Sequence, residues 1–93
     1  MIDLTIPGYN YCGPGSKNTH KVPVNVLDSY CMEHDIVYSK LFDAKSRHAA
    51  DKLLARRAWE RFVSTYTSLG ERIICLLVYG AMSIKVKLYN LKT

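Results

Sequence analysis

A chain of 93 residues has room for one small domain, whose core can hide roughly 60–65% of the unfolded chain's surface. Hydrophobic residues at 48% and charged residues at 23% exclude a disordered chain, and 5 glycines with 3 prolines exclude a collagen-like or linker composition. The net charge of +5 points to an anionic partner, either a phospholipid surface or a nucleic acid, without choosing between them.

The opening, MIDLTIPGYN, lacks the basic and apolar regions of a signal peptide. Residues 7–25 hold Pro7, Pro14 and Pro23 with Gly8, Gly13 and Gly15, which is loop chemistry. A helix is predicted from about Val26–Asp28 to about Phe42. At about 100° per residue, one face carries Tyr30, Cys31, His34, Val37, Tyr38, Leu41 and Phe42. His34 lies near its middle. A turn within 42–47 leads to a second helix, with Asp43 or Ser46 as N-cap. Its apolar stripe is Leu54, Ala55, Ala58, Trp59, Phe62 and Tyr66, and Asp51 falls inside that stripe. Lys52, Arg56, Arg57, Glu60 and Arg61 fall on the solvated side. The short connection predicts antiparallel packing, which brings His34 and Asp51 face to face. Gly70 reads as the end of the second helix. From Glu71 to about Leu91 a continued helix is favoured over a strand, although SIKVKLYNL alternates. The longest apolar stretch, Ile73 to Met82, is too short to span a bilayer.

Three cysteines, Cys12, Cys31 and Cys75, exclude a disulfide-dense secreted scaffold. With His20 and His48 they show no zinc-ligand spacing. A Cys31–His34 nucleophile pair is disfavoured because adjacent turns of one helix rarely hold attack geometry. Taken singly, His34 reads as a core histidine, Asp35 as a surface acid and G-P-G as a plain turn. Asp51 is harder to dismiss, because a carboxylate in an apolar stripe needs a partner. That partner is an arginine, a helix terminus or the His34 ring. A carboxylate accepting Nδ1–H would leave Nε2 as a general base. Asp35, about 100° round the helix from His34, should emerge beside the imidazole. Tyr11-Cys12-Gly13-Pro14-Gly15 can turn several carbonyl oxygens toward one centre. Carbonyls with a carboxylate suit calcium.

The run from Tyr11 to Tyr38, Y-C-G-P-G and then D-S-Y-C-M-E-H-D-I-V-Y, resembles phospholipase A2. The G-P-G form, the sparse cysteines and the later H-A-A-D, His48 to Asp51, are most similar to the viral branch, the phospholipase domain in the unique region of parvovirus minor capsid proteins. The resemblance covers roughly residues 7–60. It implies a mainly α fold: an antiparallel two-helix core, an N-terminal calcium loop and a C-terminal third helix. The expected organisation is one domain over 1–93, with the calcium-loop region at 7–25, the catalytic helix pair at 26–69 and the last helix at 70–93. By resemblance His34 is the general base for water, Asp51 the carboxylate that orients it, and Tyr38 the tyrosine bonded to that carboxylate. Asp35 with Tyr11, Gly13 and Gly15 corresponds to the calcium ligands, and Asp28 to a structural acid of the first helix. The implied reaction is calcium-dependent hydrolysis of the sn-2 ester of a glycerophospholipid, used to breach a membrane as a virus enters a cell. The implied location is the virion or the host endosomal membrane.

Ser16 and Lys17 follow Gly15 where secreted members carry a longer glycine run, so the chain departs from the venom type. Cys12 and Cys31 fall where secreted relatives place a bridge, so these two are either a disulfide or two buried thiols. Ile2, Leu4, Ile6 and Tyr9 are candidates for contact with lipid, and Lys17, Lys21, Lys85, Lys87 and Lys92 for anionic headgroups. The expected partners are a phospholipid surface and the rest of a capsid protein. A catalytically silent lipid-binding module is the first alternative. A nucleic-acid binder using Arg47, Lys52, Arg56, Arg57 and Arg61 is the second; Glu60 interrupts that face, and the reading leaves His34, Asp35 and Asp51 without a purpose.

Overall fold

A computed structural model describes residues 6–13 and 21–92. Gly15, Lys17, Ile2 and Leu4 lie outside the described residues, as does the side chain of Lys92. Three helices, α1 (Val26–Lys40), α2 (Ala44–Val63) and α3 (Leu69–Lys92), make the fold mainly α, with no strand among the described residues.

Each helix starts on a side chain able to accept from its free N–H groups. Asn25 caps α1 by accepting from Asp28 N–H, and Asp43 caps α2 by accepting from Ser46 N–H. The first helix stops at Lys40, two residues short of Phe42. Leu41 turns extended, and Arg47 donates to the carbonyls of Tyr38 and Leu41, satisfying the open end. Phe42 is left exposed.

Gly70 does not end α2. The helix stops at Val63, and the run Ser64-Thr65-Tyr66-Thr67-Ser68 forms the connection. Hydroxyls in this run compete for backbone groups: Thr67 Oγ1 donates to the Arg61 carbonyl and Ser64 Oγ accepts from Tyr66 N–H. Ser68 Oγ then accepts from Glu71 N–H at 3.3 Å, the start of a Ser-x-x-Glu helix entrance, which places Gly70 inside the first turn of α3. Tyr66, expected on the α2 stripe, is exposed in this connection.

The pairing of side chains sets the directions. His34 meets Asp51 while Arg57 meets Glu33, so α1 and α2 run antiparallel. Arg61 meets Glu71, Trp59 meets Tyr79, and His48 stacks on Tyr89, so α2 and α3 are antiparallel as well. The third helix packs mainly on α2.

The apolar core is small: Tyr11, Cys12, Leu27, Cys31, Leu54, Ala58, Cys75 and Val78. Its fully buried aliphatic side chains are each worth about 1.5–3 kcal/mol, which leaves polar anchors with much of the work of fixing the fold. One anchor is the Glu71 carboxylate. It takes a two-point contact from Arg61 at 2.8 and 3.1 Å and also accepts from Leu27 N–H at 3.2 Å, joining all three helices. Arg61 is therefore not on a solvated face. Its side chain is 18% exposed, because its partner belongs to α3 and the stripe arithmetic of α2 alone could not include it.

Candidate functional site

The loop preceding α1 is held by Asp28, which is fully buried. Its Oδ1 accepts from Tyr11 N–H at 2.8 Å and Cys12 N–H at 3.1 Å. Its Oδ2 accepts from Asn10 N–H at 3.1 Å and Val24 N–H at 3.0 Å. One carboxylate thus fastens both ends of the loop to the first turn of α1, where a negative charge also suits the helix dipole. Cys12 is further joined to Cys31 by a disulfide, with Cα atoms 5.1 Å apart. Closing a loop with a sequence separation of 19 stabilises the fold by about 3 kcal/mol. Gly13 has φ of +126°, a backbone state that a residue with Cβ rarely adopts.

On α1, His34 is a largely buried side chain, 10% exposed, and its Nε2 lies 2.7 Å from Asp51 Oδ1 on α2. An ionised carboxylate only accepts, so Nε2 carries the hydrogen in neutral His34. This corrects the expected tautomer: Nε2–H faces Asp51, and Nδ1 is the nitrogen left with a lone pair. The reason is reach. Nε2 is the distal ring atom and can cross the space between two helix axes, roughly 8–10 Å, whereas Nδ1 stays beside its own helix. There it lies 3.9 Å from Asp35 Oδ1, beyond hydrogen-bond distance.

The same Oδ1 of Asp51 accepts from Tyr38 Oη at 2.7 Å. Burial, and then the Asp51 carboxylate, push the Tyr38 phenol well above its usual range, so it stays a donor. Lys85, from α3, adds Nζ at 2.6 Å from Tyr38 Oη and 3.4 Å from Asp51 Oδ1. The Lys85 ammonium thus points into this network, while its side chain stays 41% exposed. The signal was present in the sequence: Glu71, Cys75, Val78, Met82, Lys85 and Tyr89 recur at three and four residues, which puts Lys85 in line with the buried Glu71, Cys75 and Val78 of α3.

Tyr11 and Gly13 lie on either side of the bridged Cys12, and Asp35 is one helical turn beyond Cys31 on the same side of α1. The bridge therefore ties the loop to α1 at Cys31, one turn before Asp35. No group of three or more His, Cys, Asp or Glu side chains able to hold a metal occurs among the described residues, so any cation here would rest on carbonyls plus Asp35. Beside His34 a cleft between α1 and α2 is lined by Tyr30, Val37, Ala50, Leu53 and Leu54, with Glu33 and Arg57. Ile6 and Tyr9 are partly buried against the core, and Tyr9 Oη accepts from Asn25.

The family model for the phospholipase A2-like domain matches residues 2–77. The chain belongs to the phospholipase A2-like domain family. The match runs beyond the 7–60 stretch in which the motifs lie. Relatives of this phospholipase A2-like domain include capsid protein VP1 of Galleria mellonella densovirus, 34% identical over 61 residues, and that of Diatraea saccharalis densovirus, 36% identical over 61 residues. Each match covers 66% of this chain and 8% of the densovirus protein. Capsid protein VP1 of porcine parvovirus (strain NADL-2) is 46% identical over 37 residues, 40% of this chain and 5% of that protein. No solved structure matches the chain. Among the described residues no helix is long and apolar enough to cross a membrane.

Proposed function

We propose that this domain is a calcium-dependent phospholipase A2 that cleaves the sn-2 ester of glycerophospholipids, as part of a capsid protein that breaches a membrane during infection. The observation that carries the reading is the His34–Asp51 pair at 2.7 Å with Nδ1 left beside Asp35. Asp51 fixes the imidazole as the Nε2–H tautomer. Nδ1 then takes a proton from a water that attacks the ester carbonyl. Positive charge arising on the ring meets Asp51 at charge-assisted distance, a bond worth about 1.5–3 kcal/mol. Tyr38 holds that carboxylate in place. Base catalysis of this kind contributes roughly 10²–10⁴-fold.

Asp35 with the carbonyls of Tyr11 and Gly13 forms a hard oxygen set suited to calcium, and Gly15 would complete it by resemblance. Bound there, calcium would supply the positive charge that polarises the ester carbonyl and stabilises the oxyanion. The cleft lined by Tyr30, Val37 and Leu53 offers apolar surface to an acyl chain beside the ring. The nucleic-acid alternative loses support because Arg47, Arg57 and Arg61 of its basic face are taken up by the α1 end, Glu33 and Glu71.

The test is fatty-acid release from mixed phospholipid vesicles, with calcium and then with chelator, by the wild type and by His34→Ala. Release that needs both calcium and His34 is expected, with the variant down at least about hundredfold. A folded wild type that binds vesicles and releases nothing would replace the enzyme by a silent lipid-binding module.

A further inference from the structure

We infer that Lys85 is a positioning residue of the His34–Asp51 site, acting through Tyr38 and not as a headgroup contact. It stands on the inward stripe of α3 with Cys75, Val78 and Met82. Its ammonium reaches 2.6 Å from Tyr38 Oη, across 47 positions of sequence, and lies 3.4 Å from Asp51 Oδ1.

Donor and acceptor inventories fix the direction of the chain. An ammonium only donates, so the Tyr38 oxygen must accept from Lys85. The phenolic hydrogen is then turned away from Lys85 and toward Asp51 Oδ1 at 2.7 Å. That same oxygen accepts from His34 Nε2 at 2.7 Å. Lys85 thereby selects the hydroxyl rotamer that supports the carboxylate. It also sets a positive charge beside an acid that is only 7% exposed. The contact connects α3 to a pair otherwise built from α1 and α2, so the position of the third helix bears on how the imidazole is held. Among the described residues Lys85 bonds Tyr38 and pairs with Asp51 but does not line the cleft beside His34, which is why its role is positional.

The kinetic arm of the test rests on the phospholipase reading; the spectroscopic arm does not. Lys85→Met removes the donor and Lys85→Arg keeps one. In the ¹⁵N-labelled, metal-free protein, the His34 Nε2–H and Tyr38 hydroxyl resonances should shift or broaden in Lys85→Met and return toward wild type in Lys85→Arg. Resonances unchanged in Lys85→Met would overturn the inference, whether or not the domain proves to be an enzyme. With vesicles and calcium, Lys85→Met should lose about five- to twentyfold in kcat at unchanged vesicle binding and unchanged KM, and Lys85→Arg should recover most of it. In a Tyr38→Phe background the same substitution should add little, since the two act through one bond chain. Weaker vesicle binding with kcat intact would overturn the inference in favour of a headgroup contact. A wild type without calcium-dependent release would end the phospholipase reading and leave the resonance result to decide on Lys85.

Discussion

Replacing Asp28 by Asn tests how the loop is held. The wild-type carboxylate accepts two backbone N–H groups on each oxygen, at 2.8–3.1 Å, inside the core. The amide keeps one oxygen and turns an NH₂ group toward the other two donors. Two charge-assisted bonds are lost, two buried N–H groups are left facing a donor, and the remaining pair weakens. At about 1.5–3 kcal/mol per bond to a charged group, partly offset by relaxation, the expected cost is about 3–5 kcal/mol. A domain of this length has about 5–14 kcal/mol in total, so the loss takes a large share. Urea unfolding followed by helical circular dichroism and by Trp59 fluorescence measures it. With a slope of roughly 1–1.5 kcal/mol/M the midpoint should fall by about 2–5 M, with the slope unchanged. Loss of calcium response should accompany it, because the anchored backbone is that of Tyr11 and Cys12. A shift under about 0.5 M, or an intact calcium response, would refute the claim that this one carboxylate organises the loop.

Glu71→Gln should cost about 3 kcal/mol, because Arg61 and the Leu27 N–H both lose a carboxylate partner in a site where Glu71 is 6% exposed. Thermal unfolding measures this, and adding Arg61→Met should recover part of the loss by removing the stranded charge. Cys75 is buried, and desolvation followed by the nearby Glu71 charge pushes its thiol up to about 11 from 9.0. A raised value means that its contribution is complete below about pH 9 and is lost as pH climbs from about 9 to about 11. The stability gap between wild type and Cys75→Ala should therefore narrow over that window, and a constant gap would contradict the assignment. Denatured but unreduced protein should take up one alkyl group, at Cys75, and all 3 cysteines should react after reduction; three without reductant would exclude the Cys12–Cys31 bridge. Asp35→Asn should abolish calcium binding by calorimetry and lower release at least about hundredfold. It should move stability by about 0.5 kcal/mol or less, because the side chain is 36% exposed and lies 3.9 Å from His34 Nδ1, beyond hydrogen-bond distance.

Much of the site is local, and local patterns are what a sequence displays. The i, i+4 step from His34 to Tyr38 and the inward Asp51 follow from helix period, and the Y-C-G-P-G and H-D-x-x-Y motifs carry the resemblance to phospholipase A2. Asp43 as a cap was readable for the same reason. Gly70 misled because glycine ends some helices and starts others; the hydroxyl run 64–68 and the Ser68-Leu69-Gly70-Glu71 entrance were the better signal.

Which ring nitrogen meets Asp51 was not written in the sequence, since it depends on the distance between two helix axes. Nor was Arg61, which reads as a surface residue until α3 brings Glu71 to it. Lys85 shows the boundary most clearly. Its place on the α3 stripe was countable, but a lysine on an apolar stripe has no meaning until Tyr38 and Asp51 stand opposite with an oxygen to receive it. The sequence by itself determined the helical content, the loop and which polar side chains turn inward on α1 and α2, because short-range sterics and hydrogen bonding fix these within a few residues. Only the packing of three helices decided which donor meets which acceptor, because those energies belong to pairs 10 to 47 residues apart.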